Sequence, residues 1–266
     1  MSTSTLERSL NILEYLSRFP EGRSLASLAA ALELPASASH RLLTELVRCG
    51  YVKQLRDYGE YALTTKLAAI GLSHLSNTGI VDIAQPLIDR AAQLSGELAR
   101  LAIVDGERLT FVAKAQGARG GLRYDPDMGL DVRLSCSAAG HAWLMTLPED
   151  QALDIVERQG LGRPEDFGPE APTSLRAVKK YLAEGRQRGF SVIVDVFAPG
   201  MSAMAAPVRR ADAPACGVVT LAGPSLRLTE ARMTELGSAL VQVADELALA
   251  SAASPLFART AKSHRA

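Results

Sequence analysis

Residues 24–50 read SLASLAAALELPASASHRLLTELVRCG, and the spacing of the leucines there decides the fold of the first part of the chain. Ser24 has the residue type of a helix cap, and Leu25, Leu28, Ala29 and Leu32 recur at three- and four-residue intervals, on one face of a short helix. Glu33, Leu34 and Pro35 leave room only for a tight turn. A further helix is expected over residues 36–49, with Leu42, Leu43, Leu46 and Val47 on its core side and Gly50 as its terminator. Upstream, Ser4 followed by Glu7 is a capping-box pattern, and Leu6, Leu10, Leu13 and Leu16 predict one buried face before Pro20 and Gly22 stop the run. Downstream, residues 51–55 and 60–64 read as strands flanking Arg56, Asp57, Tyr58 and Gly59, whose tip is a hairpin turn. Three short helices closed by a hairpin make a winged helix-turn-helix, assigned to residues 1–65.

Linker helices follow over residues 66–96, with a break at 77–79. In the second of them Ile80, Ile83, Ala84, Leu87, Ile88, Ala91 and Leu94 stand at helical spacing, to dock on their own domain, to contact a second copy, or both. Strands are expected at 98–104, 108–115, 189–195, 203–209 and 217–221, and helices at 137–146, 149–159, 174–188 and 229–250. Asp105 and Gly106 mark a hairpin between the first two strands, so residues 97–250 form an α+β domain whose sheet is at least partly antiparallel. Residues 251–266 mix small and basic types without period and read as a flexible tail.

Composition removes several classes. With 266 residues, 47% hydrophobic and 22% charged, the chain has the material of a globular core, and 29 basic residues against 29 acidic leave no global field toward nucleic acid. Any nucleic-acid binding must be local. The three cysteines, Cys49, Cys136 and Cys216, form no CxxC pair, and the four histidines are scattered, which argues against a disulfide framework and against a metal centre. No leader-like start and no long apolar run stands in the sequence. The expectation is a cytoplasmic protein with no membrane contact, no metal and no cofactor.

The third helix carries the local candidate. Outside its core positions stand Ser37, Ser39, His40, Arg41, Thr44, Glu45 and Arg48, a hydroxyl-rich and partly basic face. Short polar side chains let a helix approach base edges, and Arg41 offers a fork for guanine or phosphate. From Pro35 to Lys66 the basic residues Arg41, Arg48, Lys53, Arg56 and Lys66 exceed the acidic Glu45, Asp57 and Glu60, and Arg56 sits on the wing. The competing reading is a solvated helix in a domain that binds protein or nothing.

The run SLNILEYLSRFPEGRSLASLAAALELPASASHRLLTELVRCGYV, the wing with Tyr61 and Leu63 behind it, LSCSAAGHAWL, and the pair PGMSAMAAPV and VVTLAGPSLRLTE together resemble an IclR-type transcriptional regulator over about residues 5–250. The resemblance implies a winged helix, a linker helix that pairs DNA-binding domains, and a GAF-like C-terminal domain that binds a small metabolite. It also implies dimers or tetramers on palindromic operators of double-stranded DNA. Carried over position by position, the effector site becomes Ser137, Ala138, Gly140, Ile193, Ala203, Thr220 and Ala222, with Asp195 two residues beyond Ile193 and pointing the same way along its strand. Where acid-binding members often place an Asp, a Cys and two Ser, this chain has Ile193, Ala203, Thr220 and Ala222. That wall pairs a carboxylate poorly and predicts a larger, more apolar effector, an aromatic one among the candidates, anchored by Ser137 and Thr220, with Arg123, Arg133 or His141 as possible cations.

Two alternatives stand beside the regulator. Cys136, His141 and Asp195 supply the residue types of a nucleophile, a base and an orienter for a small-molecule enzyme, though five positions between Cys136 and His141 favour a buried structural thiol. A GAF-like sensor acting through protein contacts is the other. Trp143, on the same helix as His141, reads as core in preference to a stacking surface.

Overall fold

In the computed structural model, which describes residues 4–55, 59–126, 132–163, 165–210 and 214–250, Ser4 caps α1 (Thr5–Leu16) through a complete capping box with Glu7. The expected wing tip with Arg56, Asp57 and Tyr58, and the tail at 251–266, lie outside the described residues. Ile12 and Leu16 are the buried residues of α1, with Leu13 partly buried, whereas Leu6 and Leu10 are exposed. The expected leucine stripe is therefore rotated: positions 12 and 16 lie on a stripe adjacent to 6, 10 and 13, and packing selects the one that carries Ile12.

Two residues of strand, β1 (Arg23–Ser24), lead into α2 (Leu25–Ala31), whose N-terminus is capped by Ser24 accepting from the Ser27 amide. The turn to α3 (Ala36–Arg48) passes through Glu33 at φ 52° and closes with the Leu34 amide donating to Ala29 O at 2.9 Å. The hairpin β2 (Val52–Leu55) and β3 (Glu60–Leu63) is antiparallel, and β1 adds to the outer side of β3, a third strand too short to announce itself in sequence. Ile12, Leu16, Leu28, Leu42, Leu43, Leu46, Val52 and Tyr61 form the core of this winged helix-turn-helix.

The chain divides into two compact units, Met1–His74 and Leu75–Ala266, so the division falls inside α4 (Lys66–Thr78). In the second unit α5 (Ile80–Ser95) buries Ile80, Ala84, Ile88 and Ala91, which settles the docking role of that stripe, while Leu94 stays half exposed. A five-stranded sheet runs in the order β5 (Arg108–Gln116), β4 (Leu98–Asp105), β8 (Gly217–Pro224), β7 (Met201–Val208), β6 (Ser191–Val194). Every pairing in it is antiparallel.

Alternation along these strands builds two cores. Ala99, Leu101 and Ile103 of β4, Val219 and Leu221 of β8 and Met204 and Ala206 of β7 pack with α5 and α9 (Glu230–Ala250). The opposite face, after a register shift between Leu101 and Ala102, carries Ala102, Val104, Val218, Ala205 and Ile193, and packs with α6 (Ala138–Leu144), α7 (Glu149–Gln159) and α8 (Leu175–Arg188). Trp143 is fully buried in this second core, as its core reading requires.

Candidate functional site

On α3 the buried residues are Ser39, Leu42, Leu43 and Leu46, spaced i, i+3, i+4 and i+7. Ser39, assigned by its polarity to the outer face, is instead inside, and its Oγ is buried without a hydrogen-bond partner. Val47, assigned to the core, is exposed at the edge of the stripe. Ser37, His40, Arg41, Thr44, Glu45 and Arg48 are all exposed. Thr44 Oγ1 donates to His40 O at 2.9 Å, which keeps its side chain along the helix. Arg48 donates through Nε and Nη2 to Glu45 Oε2 at 2.9 and 2.8 Å, and that bond holds its pKa above the usual arginine value. Arg41, by contrast, has no hydrogen bond or ion pair among the described residues, so its fork is available to an external acceptor. Arg56 lies outside the described residues.

The second candidate is a cavity on the α6 face of the sheet in the C-terminal unit. It offers about 70 Å³ of space and opens to solvent at its mouth. Six residues expected at the effector site line it: Ser137, Ala138, Ile193, Ala203, Thr220 and Ala222. Strand register brings them together, because Ile193 pairs with Ala203 and Ala203 with Ala222, giving a row of apolar side chains across β6, β7 and β8. One step along, Thr220 pairs with Arg100 of β4.

Two expected residues do not line the cavity. Gly140 faces the 3₁₀ turn Leu134–Cys136 instead, where a Cβ would meet the carbonyl and Cα of Leu134. Its role is close approach of α6, reinforced by its amide donating to Ser137 Oγ at 3.0 Å. Asp195 adopts the left-handed φ of 54°, which turns it out of strand alternation, and its Oδ1 accepts from the Gly200 amide at 2.6 Å to close the β6–β7 loop.

Among the described residues the cation in the cavity wall is Arg100, not Arg123, Arg133 or His141. Arg123 is exposed outside the lining, and Arg133 donates to Gln159 O and Gly160 O. His141 is fully buried, with Nε2 against Ser135 O at 2.7 Å and its ring stacked on Tyr181 at 4.9 Å. Burial pushes its pKa down to about 4, partly opposed by the Ser135 bond. Arg100 stacks its guanidinium 3.8 Å above the Phe111 ring and has Tyr124 as a neighbour. Its Nε is buried and unpartnered. Burial lowers its pKa, with the neighbouring Tyr124 hydroxyl and the charge of Asp125 acting the other way. The sequence offered one signal for it: Arg100 is the lone charge between Leu98 and Val104, a strand otherwise apolar and buried. Phe111, Tyr124 and Phe197 complete an aromatic rim that no local motif announced.

The nucleophile reading of Cys136 fails on its surroundings. The thiol is buried, its pKa is raised by that burial, and it lies 3.6 Å from Ser135 Oγ, while His141 bonds elsewhere and Asp195 is committed to Gly200. Among the described residues no His, Cys, Asp and Glu group is arranged to hold a metal, and no helix is long and apolar enough to cross a membrane.

Residues 5–56 match the IclR helix-turn-helix domain, and residues 72–249 match the C-terminal domain of the bacterial transcriptional regulator IclR. The chain belongs to the IclR family. This IclR-family chain is 28% identical over 247 residues to the acetate operon repressor of Salmonella typhimurium, covering 92% of this chain and 89% of that one. Its fold is also that of an IclR regulator from Alicyclobacillus acidocaldarius, with a TM-score of 0.79, 20% identity and coverage of 94% and 100%. An IclR homolog from Microbacterium hydrocarbonoxydans, solved with 4-hydroxybenzoate, aligns with a TM-score of 0.76, 19% identity and the same coverage. As an IclR-family member the protein is a DNA-binding transcriptional regulator, with a helix-turn-helix domain followed by an effector domain.

Proposed function

We propose that a small organic effector with an apolar, ring-sized body occupies the cavity and changes the affinity of paired α3 helices for a palindromic operator. The observation that carries this reading is the separation of the two candidate surfaces. The exposed polar face of α3 lies in one compact unit, and the cavity lined by Ser137, Ile193, Ala203 and Ala222 lies in the other. Ligand binding and DNA binding are then two sites linked by a difference in affinity between arrangements of the protein. The apolar and aromatic lining suits a ring such as the 4-hydroxybenzoate named with the Microbacterium relative, and the repressors among the relatives make repression the expected sign.

Pairing of copies is part of the proposal. Leu6 and Leu10 on α1 and Ile70 and Leu72 on α4 expose apolar surface that a second copy would cover, as a dimer or within a tetramer. Ser37, His40, Arg41, Thr44 and Arg48 are assigned to DNA contact, with Arg56 on the wing and Ser39 removed because it is buried. Selection of bound duplexes from genomic fragments, followed by footprinting, tests this. The expected result is an inverted repeat with half-sites about 10 base pairs apart, or a multiple of that. Enrichment of a single unpaired half-site, or no enrichment, overturns it.

A further inference from the structure

The departures from acid-binding positions predict a larger, more apolar effector, with any cation coming from Arg123, Arg133 or His141, but among the described residues the charge in the wall is Arg100. Its guanidinium lies in the cavity wall, with one face covered by Phe111 at 3.8 Å and an Nε that is buried and unpartnered. No ion pair is formed by Arg100 among the described residues, and Asp125, whose charge reaches it, bonds Lys114 Nζ at 2.8 Å. Tyr124 supplies a neutral hydroxyl and no compensating charge. A desolvated cation without a carboxylate of its own among the described residues is expensive, and the buried, unmade Nε donor adds to that cost. A ligand carboxylate would supply the missing counter-charge, because its two oxygens match the fork of a guanidinium edge.

We propose that Arg100 is the charge-reading residue of the cavity, and that the effector is a monocarboxylate whose apolar body lies on Ile193, Ala203 and Ala222 while its carboxylate meets the free edge of Arg100. This assignment rests on the cavity being the effector site. The wall around it explains why one charge is specified and not two: Ser137 already accepts from the Gly140 amide, Ser202 is bonded to Ser225 Oγ at 2.9 Å, and among the described residues no second cation lines the cavity. Ser137 keeps its own proton to donate, which suits a hydroxyl or carbonyl on the effector body better than a second acid.

Matched acid and amide pairs test the proposal on the full chain by calorimetric titration: benzoate and benzamide, 4-hydroxybenzoate and 4-hydroxybenzamide, phenylacetate and phenylacetamide, cyclohexanecarboxylate and its carboxamide. The expected result is that the acids which bind do so about 30-fold or more tighter than their amides. Arg100→Met, shown folded by circular dichroism, should abolish that preference while leaving amide binding within a few fold. Should Arg100→Met not fold, the ratio in the unaltered chain still decides whether charge is read. Arg100→Lys, about tenfold weaker for acids alone because a point charge replaces the fork, then assigns the effect to this position. Amides that bind as tightly as acids, no binding by any acid, or an acid preference that survives Arg100→Met each overturn the assignment. Ala203→Trp separates it from the reading beneath: if that variant keeps parent-like acid binding the cavity is not the site and both fall. If it blocks acids and amides alike while Arg100→Met still prefers acids, only the role of Arg100 falls.

Discussion

On α3, one helix supplies every candidate contact among the described residues, and its outward side chains are held by little beyond the helix itself. In the cavity, α6 and strands β4 to β8 each contribute one to a few residues, and every one is fixed by register or by packing beneath it. Substitutions on α3 should therefore change what the protein binds without changing whether it folds. Substitutions around the cavity should do both, unless they project into the empty space.

The largest expected effect is on the packed side of that contrast. A Cβ on Gly140 would meet the backbone of Leu134, so Gly140→Val should cost about 4 kcal/mol in urea denaturation, since neither the 3₁₀ turn nor α6 can give way cheaply. A cost near zero would mean that the packed side is as tolerant as α3.

Next comes pH. His141 has a folded pKa of about 4, below the ordinary histidine value, so the unfolded state takes up its proton first as pH falls. Its contribution is fully present above about pH 6.5 and is lost progressively as pH drops toward 4, reaching about 3 kcal/mol. His141→Gln, which keeps a donor toward Ser135 O, should flatten the acid limb of stability against pH. An unchanged limb would place the titration elsewhere.

The same contrast explains what could be read from sequence. Helix periodicity is local, so Leu28, Leu42, Leu43 and Leu46 announced the core of the winged helix without knowledge of any partner. Periodicity does not choose between adjacent stripes, which is why Leu6 and Leu10 are exposed while Ile12 is buried. Residue type also misled where it competed with position: Ser39 falls on the buried i, i+3, i+4, i+7 stripe despite its hydroxyl. In the cavity the resemblance carried the row Ile193, Ala203, Ala222, but Asp195 left its strand face through a left-handed turn that alternation does not foresee. Arg100 comes from a strand 93 positions before Ile193, and only its being a charge in an apolar run marked it.

On the exposed side, Arg41→Ala should weaken the selected operator by about 1–3 kcal/mol in a gel-shift titration and leave the urea midpoint unchanged. Equal operator affinity would remove Arg41 from the interface. The smallest effect is expected at Ser39, where Ser39→Ala removes a buried, unpartnered hydroxyl and should leave stability unchanged or raise it by about 1 kcal/mol, with no loss of operator affinity. A loss of operator binding there would return Ser39 to the outer face.

The central claim is that the cavity and the operator-binding surface are coupled, and fluorescence anisotropy of a labelled operator duplex tests it directly. The full chain is titrated with and without a saturating acid that binds the cavity, in the parent and in Ala203→Trp. The expected result is an operator Kd that changes about 5- to 150-fold with ligand in the parent and does not change in Ala203→Trp. An operator Kd in the parent that is the same with and without a ligand shown to occupy the cavity would contradict the account.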